Sequence, residues 1–226
     1  MSNIAQILSK RVQGDILFDQ FSRGRYATDA SFYQMMPLGI LCPKSEDDIS
    51  AAIDIAREQG IPILARGGGT SQCGQTVNEA LVLDNTQYFN DILELDVENR
   101  RCVVRPGIVL DELNRALKPH GLWFPVDVST ASRATIGGMT ANNSCGGKSL
   151  HYGMMRDNVL SIDAVMADGS KHNFGAGNSD QSQFYQALSA DLLALGAREA
   201  AEIDARFPNV MRRVGGYNID ALVPQA

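Results

Sequence analysis

The sequence predicts an α+β fold, and three observations carry that prediction. A capped amphipathic helix, residues 45–60, stands between two short apolar runs and reads as a β-α-β unit, whose strands are parallel. Two later pairs of strand-like runs are joined by turn residues, as in hairpins. Three consecutive glycines follow the second apolar run, at the carboxyl end of a strand, where open α/β sheets bind ligands.

Taken in order, Ile4, Ile7 and Leu8 suit a short amphipathic helix. Asp19 to Met36 is polar and irregular and reads as a segment wrapped on the main body. Leu38 to Cys42 is a strand ending at Pro43. Ser45 caps the next helix, with Asp48 as its capping-box partner. Ile49, Ala52, Ile53 and Ala56 share one face, Gly60 ends the helix, and Pro62 stands just beyond. Ile61 to Ala65 and Leu81 to Asp84 read as strands on either side of the glycine loop. Ile92 to Val97 and Arg101 to Arg105 flank Glu98-Asn99-Arg100 as a hairpin. Leu110, Leu113, Ala116 and Leu117 mark a helix ending near Pro119 and Gly121. Residues 125–149, rich in Pro, Gly, Ser, Thr and Asn, predict a long functional loop, and apolar Ile136, Met139 and Ala141 argue against disorder. Leu160 to Ala167 and Lys171 to Phe174 flank Asp168-Gly169, a type I′ hairpin signal. Ser179 to Arg206 is helical in pattern, with Phe184, Ala187, Leu188, Leu192 and Leu195 on one face and Gly196 as a point of division.

Composition excludes several classes. The 226 residues suffice for one large domain or two small ones, and 44% hydrophobic residues suffice for a core. A net charge of -6 without any basic run argues against nucleic acid. No apolar stretch reaches membrane-spanning length, and Met1 to Lys10 does not read as a signal peptide. Cys42, Cys73, Cys102 and Cys145 form no C-x-x-C pair, so no zinc or iron–sulfur site is suggested within these residues. Reduced thiols in a cytoplasmic protein are expected. His120, His151 and His172 show no ligand spacing, and no metal is expected. Met139, Cys73 and Cys145 are assigned to packing.

The glycine loop reads Arg66-Gly67-Gly68-Gly69-Thr70-Ser71, continuing through Gln72, Cys73, Gly74 and Gln75. Glycines can turn successive amides to one side and form an anion-binding nest. Thr70 and Ser71 add hydroxyl donors, and Arg66 is expected to supply a positive charge at the rim. A phosphate or pyrophosphate is the ligand such a loop suits. The dinucleotide fingerprint fails at Gln72, and a Walker loop fails because Gln75 stands where Lys is required. A second small-residue cluster, Thr135 to Gly147, suggests one extended ligand with a diphosphate in its middle and a flat ring at one end, using both clusters.

Several motifs stand in a shared order: Pro43-Lys44-Ser45, Ile63 to Gln75, Val104-Arg105-Pro106-Gly107, Phe124-Pro125-Val126-Asp127, Thr135 to Gly147, Tyr152-Gly153 and Val165 to Gly169. In this the chain resembles the FAD-binding domain of the vanillyl-alcohol oxidase/p-cresol methylhydroxylase (PCMH) type. Within that type it resembles FAD-linked oxidases of D-2-hydroxy acids: D-lactate dehydrogenase, the glycolate oxidase flavin subunit and D-2-hydroxyglutarate dehydrogenase. Arg25 to Ser31 and Arg212 to Asn218 resemble especially the large members that carry an iron–sulfur module. The resemblance covers roughly residues 20–226.

The resemblance implies two α+β subdomains with FAD between them, about residues 38–98 and 99–226, the domain being incomplete at its C-terminus. It implies that Arg66, Gly67, Gly68, Gly69, Thr70, Ser71, Gln72, Gly74 and Gln75 serve the pyrophosphate. It implies that Pro125, Asp127, Thr135, Ile136, Gly137, Gly138, Ala141, Asn142 and Ser144 line the adenosine, ribityl and flavin parts. Relatives with a histidyl-linked flavin carry His where Thr70 stands, so FAD is expected without a covalent bond. In this family a hydride passes from the substrate to flavin N5, and a base, often His, takes the hydroxyl proton. Those groups lie after the flavin domain, so no catalytic residue is named, and this stretch alone is expected to be inactive. The hydroxy acid, the electron acceptor, any iron–sulfur cluster and any peripheral membrane association would belong to the missing region or the parent enzyme. The alternative is a module that binds a flavin or nucleotide, or docks a partner subunit, without turnover.

Overall fold

The computed structural model describes residues 3–175, 182–210, 213 and 217–223. Gly215 and Gly216 of the expected C-terminal motif, and Ser179 to Gln181 of the expected last helix, lie outside the described residues. Helix α1, Asn3–Arg11, buries Ala5 and Leu8. Strand β1, Asp15–Leu17, was not expected; it runs antiparallel to β2, Gly39–Cys42. Between them lies α2, Gln20–Arg25, also missed: Asp19 caps it by accepting from Ser22 N–H at 2.9 Å. Its six residues, with Phe21 the one large apolar side chain, show no apolar period.

Helix α3, Glu46–Gln59, begins and ends as predicted. Ser45 Oγ accepts from Asp48 N–H at 3.2 Å, and Gly60 closes the helix in left-handed backbone, φ 62°. The capping box is not closed as expected. The buried Asp48 carboxylate accepts from Gln13 N–H at 2.7 Å and Lys44 N–H at 2.8 Å, tying the helix to the chain entering β1.

Strands β3, Ile63–Arg66, and β4, Leu81–Asp84, complete a sheet of order β1-β2-β4-β3. The strands of the β-α-β unit are parallel, but β4 lies between them and pairs with both. Its apolar run is buried at every position, which suits the interior of a sheet. One face of the sheet packs with Leu8, Ala52 and Ile55.

A second core forms round Leu110, Leu113, Val126, Ile136, Met139 and Met155. Hairpin β5, Ile92–Asp96, and β6, Arg101–Val104, forms where expected and packs on this core from both strands. The expected subdomain division near residue 98 therefore falls in its turn. Helix α4, Leu110–Leu117, follows, with Ala116 exposed rather than on the inner face.

Residues 125–149 are not a continuous loop. They contain α5, Ile136–Ala141, capped by Thr135, and lead into α6, Ser149–Tyr152, and α7, Met155–Asn158. Helices of four to six residues are too short to show an apolar period. The β7, Ser161–Val165, and β8, Lys171–Gly175, hairpin has a three-residue turn rather than type I′. Met166 N–H donates to Ser170 O and Gly169 N–H to Met166 O, and Gly169 alone in the turn has positive φ. Asp168 keeps negative φ, its carboxylate accepting from Ser170 N–H at 2.9 Å.

Helix α8, Gln183–Arg206, is unbroken at Gly196. That glycine is a point of close approach: a Cβ there would lie 2.1 Å from Leu222 O. Phe184 and Leu192, expected on the inner face, are only partly covered, 40% and 39% exposed. No helix among the described residues is long and apolar enough to cross a membrane.

Candidate functional site

Strand β3 ends at Arg66, paired with Asp84 at the end of β4, and the glycine loop leaves the sheet there. Gly67 and Gly68 press against the chain entering α5. A Cβ on Gly67 would lie 2.1 Å from Thr135 Oγ1, and one on Gly68 2.1 Å from Arg133 O. No larger residue fits, and the two glycine clusters meet at this contact. Gly69 and Gly74 take left-handed backbone, φ 63° and 74°, which glycine adopts without strain. The N–H groups of Gly67, Gly68, Gly69, Thr70, Ser71 and Gln72 donate to no protein acceptor among the described residues. Successive unpartnered amides on a glycine-rich turn are the material of an anion nest.

The second cluster works through a helix face. Thr135 Oγ1 accepts from Gly138 N–H at 3.3 Å. Gly137 packs on the Pro106 turn, its N–H donating to Pro106 O at 2.8 Å. Ile136 and Met139 point into the core, whereas Gly138, Ala141 and Asn142 lie exposed. The outward face of α5 is thus almost bare of side chains. Asp127 is drawn to the same place: its Oδ1 accepts from Lys148 N–H at 2.9 Å, and Gly146 packs so closely that a Cβ would lie 1.9 Å from Asp127 O. Asn142 Nδ2 donates to Ser144 Oγ at 3.3 Å, and Pro125 is half-buried beside buried Val126.

Three expectations need correction. Arg66 does not stand at the rim. It is half-buried, and its guanidinium donates to Tyr26 O at 3.0 Å, Thr76 O at 3.0 Å and Thr28 O at 2.8 Å. Burial lowers its pKa, partly offset by the nearby Asp29. Ile136 is a core residue with its N–H given to Ile108 O, and Thr135 is buried beneath the contact, so both shape the site from inside. Cys73 is exposed rather than packed, while Met139 is buried as expected.

Residues missed from the sequence include Tyr26, Asp29 and Thr76. Tyr26 Oη donates to the buried Asp84 at 2.6 Å, and burial, then that carboxylate, raise the phenol's pKa. Thr76 Oγ1 donates to Asp29 at 2.8 Å. The signal available was the motif Arg25 to Ser31 itself, which carried no assigned role. Asn143 takes φ 45° just after α5, its Oδ1 accepting from Arg156 N–H at 3.0 Å.

Residues 37–175, both glycine clusters included, match the family model described as "FAD binding domain". The chain belongs to that family. This FAD-binding domain is 36% identical over 221 residues to D-2-hydroxyglutarate dehydrogenase of Pseudomonas putida, covering 92% of the chain and 22% of that protein. It is 38% identical over 163 residues to the glycolate oxidase subunit GlcD of Bacillus subtilis, covering 70% of the chain and 35% of that protein. The chain therefore spans well under half the length of these relatives. Among solved structures, wild-type BBE-like 1 of Physcomitrella patens superimposes with a TM-score of 0.69 at 20% identity, over 79% of this chain and 39% of that one. The fold is the mixed α+β, PCMH-type FAD-binding fold. The residues present fit the cofactor: unpartnered amides suit a diphosphate, and the bare face of α5 admits a flat ring at close range.

Proposed function

We propose that this FAD-binding domain holds FAD without a covalent bond and serves a longer flavoenzyme that oxidises a D-2-hydroxy acid. The observation that carries the reading is the contact between Gly67 and Gly68 and the chain at Arg133–Thr135, which sets a run of free amides beside a bare helix face. In this reading the amides and hydroxyls of Gly67 to Gln72, with Gly74 and Gln75, hold the diphosphate. Gly138, Ala141, Asn142 and Ser144, with Pro125 and Asp127, border the ribityl chain and a ring. When bound, the flavin accepts hydride from the substrate carbon; the chain's own residues supply orientation and electrostatics. Thr70 cannot form the histidyl-type link. The two cores are read as the two subdomains, with the β5–β6 hairpin in the second. The substrate's base and the electron acceptor's site are assigned to the rest of the longer enzyme. Four unpaired thiols accord with a reducing cytoplasm.

Calorimetric competition among FAD, FMN, NAD and ATP tests the ligand, with FAD expected to bind tightest. Tighter binding of NAD or ATP would end the reading. Anaerobic mixing of the full-length flavoenzyme with D-lactate, glycolate and D-2-hydroxyglutarate tests the activity. Bleaching of flavin absorbance by one of them supports it, and absorbance without bleaching by any of them would leave a binding module.

A further inference from the structure

We propose that Arg66 is a positioning residue: it rivets both ends of the glycine loop to the strap Tyr26–Ser31 and so fixes the amide nest before any ligand arrives. The inference rests on the reading of this loop as the diphosphate site.

The geometry is that of a clamp. Arg66 begins the loop, and its Nη1 donates to the carbonyl of Thr76, which ends it. The same Nη1 donates to Tyr26 O, and Nη2 donates to Thr28 O. One guanidinium thus joins three chain segments through neutral acceptors. Its hydrogen bonds go to these carbonyls, and a planar fork with five N–H donors can serve them together. A lysine ammonium on a flexible stem cannot reproduce that fork.

Other bonds pull the same parts together. Ala30 N–H donates to Gly69 O at 3.0 Å, so the strap holds the loop's middle as well as its ends. Thr76 Oγ1 donates to Asp29, whose other oxygen accepts from Ser31 N–H at 2.8 Å. The strap is anchored below by Tyr26 Oη on the buried Asp84 of β4. Gly69 has to be glycine partly because of the rivet: a Cβ there would lie 2.8 Å from Arg66 Nη2. The loop folds directly over the guanidinium, which leaves its own amides facing away from protein acceptors.

The experiment compares the parent with Arg66→Lys and Arg66→Met in two measurements. The first is hydrogen exchange of the ligand-free chain over residues 26–36 and 67–78, which include the bonded amides of Ala30 and Val77. The second is FAD affinity followed by flavin fluorescence. Faster exchange in those two stretches only, with FAD affinity down by about tenfold or more in both variants, is expected from losing charge-assisted hydrogen bonds. Should Arg66→Met not fold, Asp29→Ala cuts the second tie and should speed exchange in the same stretches to a smaller degree. Weakened FAD binding with unchanged ligand-free exchange would overturn the proposal in favour of direct contact with the ligand. No change in either measurement would overturn it outright. Faster exchange in a chain whose parent binds no FAD would keep the clamp and remove the ligand reading.

Discussion

In the loop after β3, Gly69 and Gly74 take left-handed backbone and Gly67 and Gly68 press on their neighbours; in α5, Gly137 and Gly138 lie on helical backbone and differ in which way they face. The loop uses glycine for conformations and close approaches that other residues refuse. The helix uses it to remove side chains, inwards at Gly137 so that α5 can sit on Pro106, outwards at Gly138 so that helix backbone lies open, as the proposed ring contact requires. Two stretches of similar composition thus solve different physical problems, and substitutions should separate them.

The largest effect is expected at Gly68→Ala. Its Cβ would meet the backbone carbonyl of Arg133, which cannot rotate away as a side chain can. Overpacking of this kind costs about 1–3 kcal/mol, so the urea midpoint should fall and FAD binding should be lost with it. Next comes the adjacent pair in α5. Gly137→Ala, whose Cβ would lie 2.5 Å from Pro106 Cβ, should destabilise within the same range of about 1–3 kcal/mol. Gly138→Ala meets only Thr135 Oγ1 at 3.1 Å. Its gain in helix propensity should offset that contact, leaving stability within about 1 kcal/mol of the parent while FAD affinity falls. Equal melting temperatures for the two variants would break the inward–outward distinction.

A milder contrast concerns thiols. Cys73 is exposed in the loop, whereas burial pushes the Cys42 thiol up to about 11. A thiol reagent at neutral pH should label Cys73 well before Cys42, and FAD should slow the labelling of Cys73. Mass spectrometry of the time course checks both statements.

The smallest effect is the acid dependence of the strap. Burial pulls the Asp29 pKa upwards, but hydrogen bonds from Ser31 and Thr76 outweigh it and hold the carboxyl below its ordinary 3.8. A lowered folded-state pKa means its contribution is present above 3.8 and lost as pH falls through the folded value. Exchange protection at Ala30 should therefore be flat between about pH 5 and 8 on this account and fall only in stronger acid. Asp29→Asn should flatten that acid limb.

Much of this was legible because it is local. Ser45 and Gly60 bracket α3, Glu98-Asn99-Arg100 turns a hairpin, and the ordered motifs announced an FAD-binding domain. What escaped depends on partners distant in sequence. Arg66 looked like a rim charge because its three carbonyl partners lie 40, 38 and 10 residues away along the chain. Asp48 looked like a capping-box partner because Gln13 is invisible to a local pattern. Helix α5 was hidden by its shortness and its glycine pair, and the exposed faces of Phe184 and Leu192 could not be told from buried ones by period alone.

The place of β4 has a consequence for the order in which the molecule is made. Strands β2 and β3 leave the ribosome before β4, yet neither pairs with the other; β2 has β1 on one edge, while its other edge and β3 both wait for residues 81–84. Until then a nascent chain carries two unfilled ladders, and residues 67–80 are the tether that must swing the last strand between them. Closing such a tether is an entropic step that precedes the pairing it permits. The loop proposed to hold the diphosphate is therefore also an assembly part, and a substitution that stiffens it acts on the rate at which the sheet is completed as well as on the proposed nest.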